Sequence, residues 1–279
     1  MAERIADVAP LDGAAKAAGK QIRGLLGPGA ARDALAGTWL GHALHPVLTD
    51  VVIGTWLSAT VLDLTGGDAA ASRRLVGLGA LAALPTAATG ATDWADSEAV
   101  DAGVRRVGAV HAVANTAALA LQVASWSARR RGRRGRGVGL SLLASGGMFA
   151  SAYLGGYLSL ERGVGVAQTA FDPGPQNWTA AMAAADLADG TPTAVEVGDT
   201  PVLLVRAAGT VRALHDRCSH RGCSLAEGTL DGEVIECGCH GSRFALADGT
   251  IERGPATVPQ PAFDVREREG QIEVRLSRD

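Results

Sequence analysis

Two short stretches decide the reading of this chain: Cys218-Ser219-His220-Arg221-Gly222-Cys223 and Cys237-Gly238-Cys239-His240-Gly241-Ser242. Within them Cys218, His220, Cys237 and His240 form C-x-H and C-x-x-H pairs, with sixteen residues between the pairs. Two Cys and two His can hold one zinc in a tetrahedron, although C-x-H is tight for the first pair of a zinc finger. Both stretches read as loops joining strands, and each offers one thiolate and one imidazole. That distribution suits two metals, with thiolates on one and imidazoles on the other.

The residues around these loops are β-rich. Short alternating or β-branched runs stand at Ala194–Val197, Val202–Ala207, Val211–His215, Glu233–Glu236 and Gln271–Leu276. Gly-containing turns separate them at Ala208-Gly209, Asp231-Gly232, Asp248-Gly249 and Glu269-Gly270. Many short strands with such turns indicate a small antiparallel sandwich or barrel. On the N-terminal side, Phe171–Gln176 holds two prolines and a glycine and reads as a linker.

The chain upstream is of another kind. Its 279 residues suggest two domains, and 4 Cys are too few for a disulfide scaffold. Residues 1–170 carry 16 Lys+Arg and 12 Asp+Glu, a net +4, while residues 171–279 carry 10 Arg and 17 Asp+Glu, a net −7. Four windows, roughly Leu44–Leu64, Leu75–Trp94, Val107–Trp126 and Val138–Leu160, are each near the ~20 residues that cross a bilayer as helix. They are rich in Gly, Ala, Ser and Thr, which let membrane helices approach closely. Charged, short breaks and the lack of an amphipathic face separate them from the buried helices of a soluble bundle. Trp39, Trp94 and Trp126 lie at span ends, where an interfacial aromatic belt forms.

Six arginines (129, 130, 131, 133, 134 and 136) lie between the third and fourth windows, and Arg73 and Arg74 between the first and second. Positive-inside bias puts both loops in the cytoplasm. The N-terminus and everything after Leu160 then lie outside, although Lys16, Lys20, Arg23 and Arg32 in the N-terminal tail pull the other way. Arg133-Arg134 before the modest fourth span also resembles a twin-arginine export signal.

The loop region at Cys218–Ser242 resembles the Rieske [2Fe–2S] family, whose pattern is C-x-H…C-x-x-H, and the likeness covers roughly Gln176–Asp279. The resemblance implies a [2Fe–2S] cluster with Cys218 and Cys237 on one iron and His220 and His240 on the other. Imidazoles in place of two thiolates raise the potential above that of all-Cys ferredoxins. Cys223 and Cys239 match positions that form a disulfide in the respiratory Rieske subunits of cytochrome bc complexes. Two free thiols are the alternative, and a structural disulfide requires an oxidising compartment.

Ser242 matches a hydroxyl that donates to a bridging sulfur in that family, and Gly254-Pro255 matches the loop that covers the cluster. Two residues depart from the respiratory pattern. Phe244 replaces a tyrosine donor, which should lower the potential, since hydrogen bonds to sulfur stabilise the reduced cluster. Arg221 replaces a leucine beside the first His ligand and looks more like ferredoxin-type or oxygenase-type domains.

The membrane region resembles an uncharacterised four-helix membrane family, numbered 2231 among domains of unknown function. The likeness rests on Gly41-His42-Ala43-Leu44-His45-Pro46, Thr89-Gly90-Ala91-Thr92-Asp93-Trp94 and His111-Ala112-Val113-Ala114-Asn115. Ionisable groups in a membrane are costly and therefore functional candidates. His45 and His111 can hold a haem b, and a histidine with Asp93 can hold a quinone. The alternative is that these groups only hydrogen-bond between helices or face headgroups.

The expected architecture is α + β in two domains. Residues 1–43 form an N-terminal tail, 44–160 a four-helix transmembrane domain, 161–175 a linker and 176–279 an all-β Rieske domain. The expected function is one-electron transfer on the outer face of the cell membrane, from quinol or haem to a redox partner protein, as part of an oxidoreductase system. The alternatives are a ferredoxin-like carrier for a separate oxygenase or reductase, and a redox sensor. Only 39 residues follow His240, too few for an oxygenase domain with a mononuclear iron. Membrane lipid is an expected partner and nucleic acid is not.

Overall fold

The computed structural model describes residues 1–277. The chain divides into two units, one of Met1–Leu26 with Leu44–Val164, the other of Gly27–Ala43 with Gly165–Asp279. The 43 residues before the first long helix are therefore shared between the two.

In the first unit, short helices α1 (Ala2–Ala6) and α2 (Asp12–Leu25) precede three long ones, α4 (Leu44–Leu64), α5 (Ala69–Ser97) and α6 (Ala102–Arg130), and then α7 (Arg134–Gly156), which runs on through a wider turn to Glu161. Helix α3 (Ala30–Ala36) belongs to the other unit. Asp68 and Asp101 cap α5 and α6, their carboxylates accepting from the N–H of Ala70 and Val104. The four long helices are long and apolar enough to cross a membrane.

Their packing explains the small residues. A Cβ on Gly79 would lie 2.3 Å from the Trp56 indole nitrogen, and one on Gly108 2.2 Å from Trp94 Cδ1. Glycine thus makes room for a neighbouring helix's indole, and close van der Waals contact holds helices together where lipid removes the hydrophobic drive. Leu81, Leu84, Val113, Leu143 and Phe149 point outward, each more than half exposed. Such an apolar belt is what lipid covers.

Charges are paired at the helix ends. Glu98, buried, receives Arg23 from α2 and Arg105 from α6 at 2.8 Å each, while Arg106 meets Asp12 at 2.9 Å. Elsewhere, Asp63 of α4 and Arg129 of α6 form a buried pair, with Nη1 2.9 Å from Oδ1 and Ser72 hydrogen-bonded to both.

The second unit holds ten strands among the described residues: β1 (Thr179–Ala183), β2 (Thr193–Val197), β3 (Thr200–Ala207), β4 (Thr210–His215), β5 (Thr229–Asp231), β6 (Val234–Glu236), β7 (Arg243–Ala245), β8 (Ile251–Arg253), β9 (Ala262–Arg268) and β10 (Gln271–Leu276). They form two antiparallel sheets, ordered β1-β10-β9-β4-β3-β2 and β5-β6-β7-β8. The turns Ala208-Gly209 and Glu269-Gly270 have positive φ at both residues, the conformation that matches strand twist in two-residue hairpins.

Alternation along β3 sorts its side chains between two cores. Val202 and Leu204 pack with Phe263, Ile272 and Val274, whereas Leu203 and Val205 pack with Leu214, Ile235, Phe244, Cys218 and Cys237. The second core includes the two candidate ligand thiols.

Asp63→Asn keeps the shape of the buried pair but leaves Arg129 unpaired. The expected cost is about 3–5 kcal/mol, read as a lower thermal midpoint in detergent micelles. A combined Asp63→Leu/Arg129→Met variant should recover much of it, because matched apolar groups need no desolvation of charge.

Candidate metal centre

The candidate ligands sit on two loops of the same design. The first follows β4 and the second joins β6 to β7. In each, the carbonyl of the leading cysteine accepts from a glycine N–H four residues on: Gly222 to Cys218 at 2.8 Å and Gly241 to Cys237 at 3.0 Å. Both glycines have positive φ, +77° and +79°, where an L side chain is strained. The fifth residue closes each turn, since Cys218 N–H donates to Cys223 O and Cys237 N–H to Ser242 O, both at 2.8 Å. The shared C-x-x-x-G spacing was a signal in the sequence beyond the ligand motif itself.

This turn aims backbone N–H groups at sulfur. Those of His220 and Arg221 reach Cys218, and those of Cys239 and His240 reach Cys237. Such nests favour an anion. The two thiols are buried and hydrogen-bonded to each other. The Cys237 thiol is held down to about 6 by the hydrogen bond with Cys218, helped by the two N–H groups. Cys218 is pushed up by the same pairing and by burial. Two thiolates side by side need a cation between them.

The His220 and His240 rings lie beside each other, centroids 5.0 Å apart and planes at 86°. Burial pushes the His220 pKa down, and the charges of Arg221 and Arg32 with the neighbouring His240 push the same way, which keeps it neutral as a metal ligand must be. Cys223 and Cys239 form a disulfide with Cα atoms 6.5 Å apart, tying the loops together. Their sulfurs lie within 4.8 Å of Cys237 Sγ, but as disulfide sulfurs they are not thiolate donors. Two thiols in N–H nests beside two imidazoles fit an iron–sulfur centre with mixed ligands.

Residues 177–264 match the Rieske [2Fe-2S] domain family. Ferredoxin CarAc of Metapseudomonas resinovorans is 41% identical over 100 residues, covering 36% of this chain and 94% of the ferredoxin. The chain belongs to the Rieske [2Fe–2S] family. It is an electron carrier, and its cofactor is a [2Fe–2S] cluster. The ferredoxin component of biphenyl 2,3-dioxygenase from Rhodococcus jostii is 37% identical, covering 29% of this chain and 76% of that protein. The cytochrome b6-f complex iron-sulfur subunit of Chlorobaculum tepidum is 31% identical, covering 34% of this chain and 51% of the subunit. Residues 41–168 match a second family, a predicted membrane protein, DUF2231.

The Rieske loops rest on residues that the motif does not contain. Gln260, buried, accepts from Ser219 N–H at 2.9 Å and donates to the carbonyls of His215 and Arg217 at 2.6 Å each. Its place between Pro259 and Pro261, which stiffen the backbone, was the available hint. His215, fully buried, accepts from Arg217 N–H on Nδ1, so its Nε2–H donates to Asp172, which Thr200 also holds. Neither residue stood out in the sequence. Ser242 is buried and its Oγ accepts from Ala256 N–H at 3.0 Å, leaving its own proton for another acceptor. Phe244 is wholly buried and adds no donor. The Gly254-Pro255 bond is cis.

The membrane histidines lie in the helical unit and bind neighbouring helices. His45 Nδ1 is 2.9 Å from Thr86 O, and His111 Nδ1 is 2.9 Å from Ser151 O. Asn115 Nδ2 lies 3.0 Å from His111 Nε2. Asp93 stands on α5, its carbonyl accepting from Ser97 Oγ.

Gln260→Leu is nearly isosteric and removes three hydrogen bonds to buried backbone. At about 1–3 kcal/mol for each orphaned group, the expected loss is several kcal/mol. Thermal unfolding followed by the cluster's visible circular dichroism reads it.

Proposed function

We propose that Cys218 and Cys237 hold one iron and His220 and His240 the other, in a Rieske carrier anchored by four membrane spans with its cluster unit outside the cytoplasm. The disulfide between Cys223 and Cys239 carries this reading, because it calls for an oxidising compartment. When bound, the cluster supplies one-electron storage. The chain's own residues fix the thiolates in their N–H nests and keep the imidazoles neutral. Ser242, whose Oγ accepts from Ala256 N–H, would have its hydroxyl proton free to donate to the cluster, and the Gly254-Pro255 loop would shield it.

A second observation supports the topology. Residues 27–43 directly precede α4, residues from Gly165 follow α7, and both belong to one compact unit. A chain that leaves that unit and returns to it crosses a membrane an even number of times, as four spans require. The arginine loop between α6 and α7 then lies on the opposite side, where positive charge is retained. Alkaline phosphatase, active only outside the cytoplasm, should be active when fused after Ser277 and inactive when inserted at Gly132. The reverse pattern would overturn the orientation.

The electron source we propose is quinol or a haem in the helical unit. The favouring observation is that His45 and His111 each turn Nδ1 to a backbone carbonyl, as metal-ligating histidines do; at His111, iron would have to displace Asn115 from Nε2. A Soret band lost in His111→Ala would support haem; its absence after full haem supply would remove that source.

The alternative reading is a ferredoxin-like carrier for a separate oxygenase, favoured by Arg221 and Phe244 and by the dioxygenase ferredoxin among the relatives. Rieske centres span about −150 to +300 mV. A midpoint near the upper end, falling with rising pH, is the expected result, and one near the lower end would favour the ferredoxin. Cys218→Ala and His220→Ala should each abolish the electron paramagnetic resonance signal of the reduced cluster. Cys223→Ser/Cys239→Ser should keep the signal but lose it faster on heating.

A further inference from the structure

Residues 27–43 lie outside the stretch that matches the Rieske family, yet they fold against its loops. Thr38 Oγ donates to Ala256 O at 3.0 Å. A Cβ on Gly254 would stand 2.3 Å from Thr38 Oγ and 2.8 Å from Asp33 Oδ1, and one on Gly241 would stand 3.8 Å from Pro28 Cγ. The segment therefore touches the second ligand loop and the Gly254-Pro255 loop and, at Gly254, leaves no room for a side chain. From α3, Arg32 reaches in. It is only 7% exposed, and its Nη1 donates to the carbonyl of His240 at 3.0 Å.

Burying a guanidinium costs desolvation that an apolar residue would avoid. Its contribution here is a fixed positive charge against the backbone of one ligand, felt also at the His220 ring. Arginine stays protonated at all working pH values. Reduction adds one negative charge to the centre, so a cation this close favours the reduced state.

We propose that Arg32, delivered by the segment before the first span, is a positioning residue that raises the reduction potential of the cluster. The inference rests on the ligand assignment proposed above. No proton or bond changes hands at Arg32: one electron enters the centre from its donor, one leaves to its acceptor, and the guanidinium charge stabilises the interval between.

The test is a dye-mediated redox titration of the full chain in detergent micelles, following the electron paramagnetic resonance signal of the reduced cluster. Arg32→Gln should shift the midpoint down and Arg32→Lys should leave it near the wild-type value. Asp33→Asn removes a negative charge from the same segment and should shift it up. Loosening the segment without loss of charge would admit water, which favours the more charged reduced state and moves the midpoint up. An unchanged or raised midpoint in Arg32→Gln with full cluster content overturns the proposal, as does an equal fall in Arg32→Lys. If Arg32→Gln does not retain the cluster, a midpoint in Asp33→Asn that fails to rise overturns it instead. Absence of the cluster from the wild-type chain overturns the ligand assignment, and this inference with it.

Discussion

Everything in the cluster-bearing unit depends on keeping two buried thiols and two imidazoles together. Unassisted, the thiols would repel once ionised, and the two loops that carry them extend from different sheets. Three devices oppose this. Identical turns, each closed on a positive-φ glycine, aim N–H groups at each sulfur. The disulfide closes a loop of 16 residues, which restricts the unfolded chain by about 3 kcal/mol in the chain-entropy picture. Gln260 satisfies the buried backbone under the first loop. The centre is thus held by backbone turns together with side chains that lie outside the ligand set.

The helical unit solves a different problem. Its helices use glycine to let indole rings approach, the kind of close contact that holds helices together where lipid removes the hydrophobic drive. Charges that cannot be solvated are matched, Asp63 with Arg129 and Glu98 with two arginines. His45 and His111 repeat one arrangement, an imidazole on the first helix of a hairpin hydrogen-bonded to a carbonyl of the second.

The Rieske unit combines features that usually point in different directions. The Cys223–Cys239 disulfide suits an oxidising compartment, while Phe244, wholly buried, offers no hydrogen-bond donor. The positive charge proposed for Arg32 acts in the opposite sense to a missing donor. The potential is a balance among these, and one contribution comes from a segment on the far side of four helices in sequence.

The sequence alone determined the fold class, the four long helices and the family that the C-x-H and C-x-x-H pairs point to. The helices were legible because each is a long apolar run bounded by charge, and the first window coincides with α4. The turns at Gly209, Gly232, Gly249 and Gly270 were legible because positive φ there favours glycine. The strands β1, β5, β7, β8 and β9 were not read, since runs of three to seven residues with mixed burial leave little periodic signal. Tertiary structure alone decided that residues 27–43 leave the N-terminal tail and pack on the cluster loops, and that Gln260, His215 and Arg32 support them. A lone buried glutamine, histidine or arginine has no pattern along the chain. Its role is set by which carbonyl or carboxylate the fold brings within 3 Å, and that partner lies tens to hundreds of residues away.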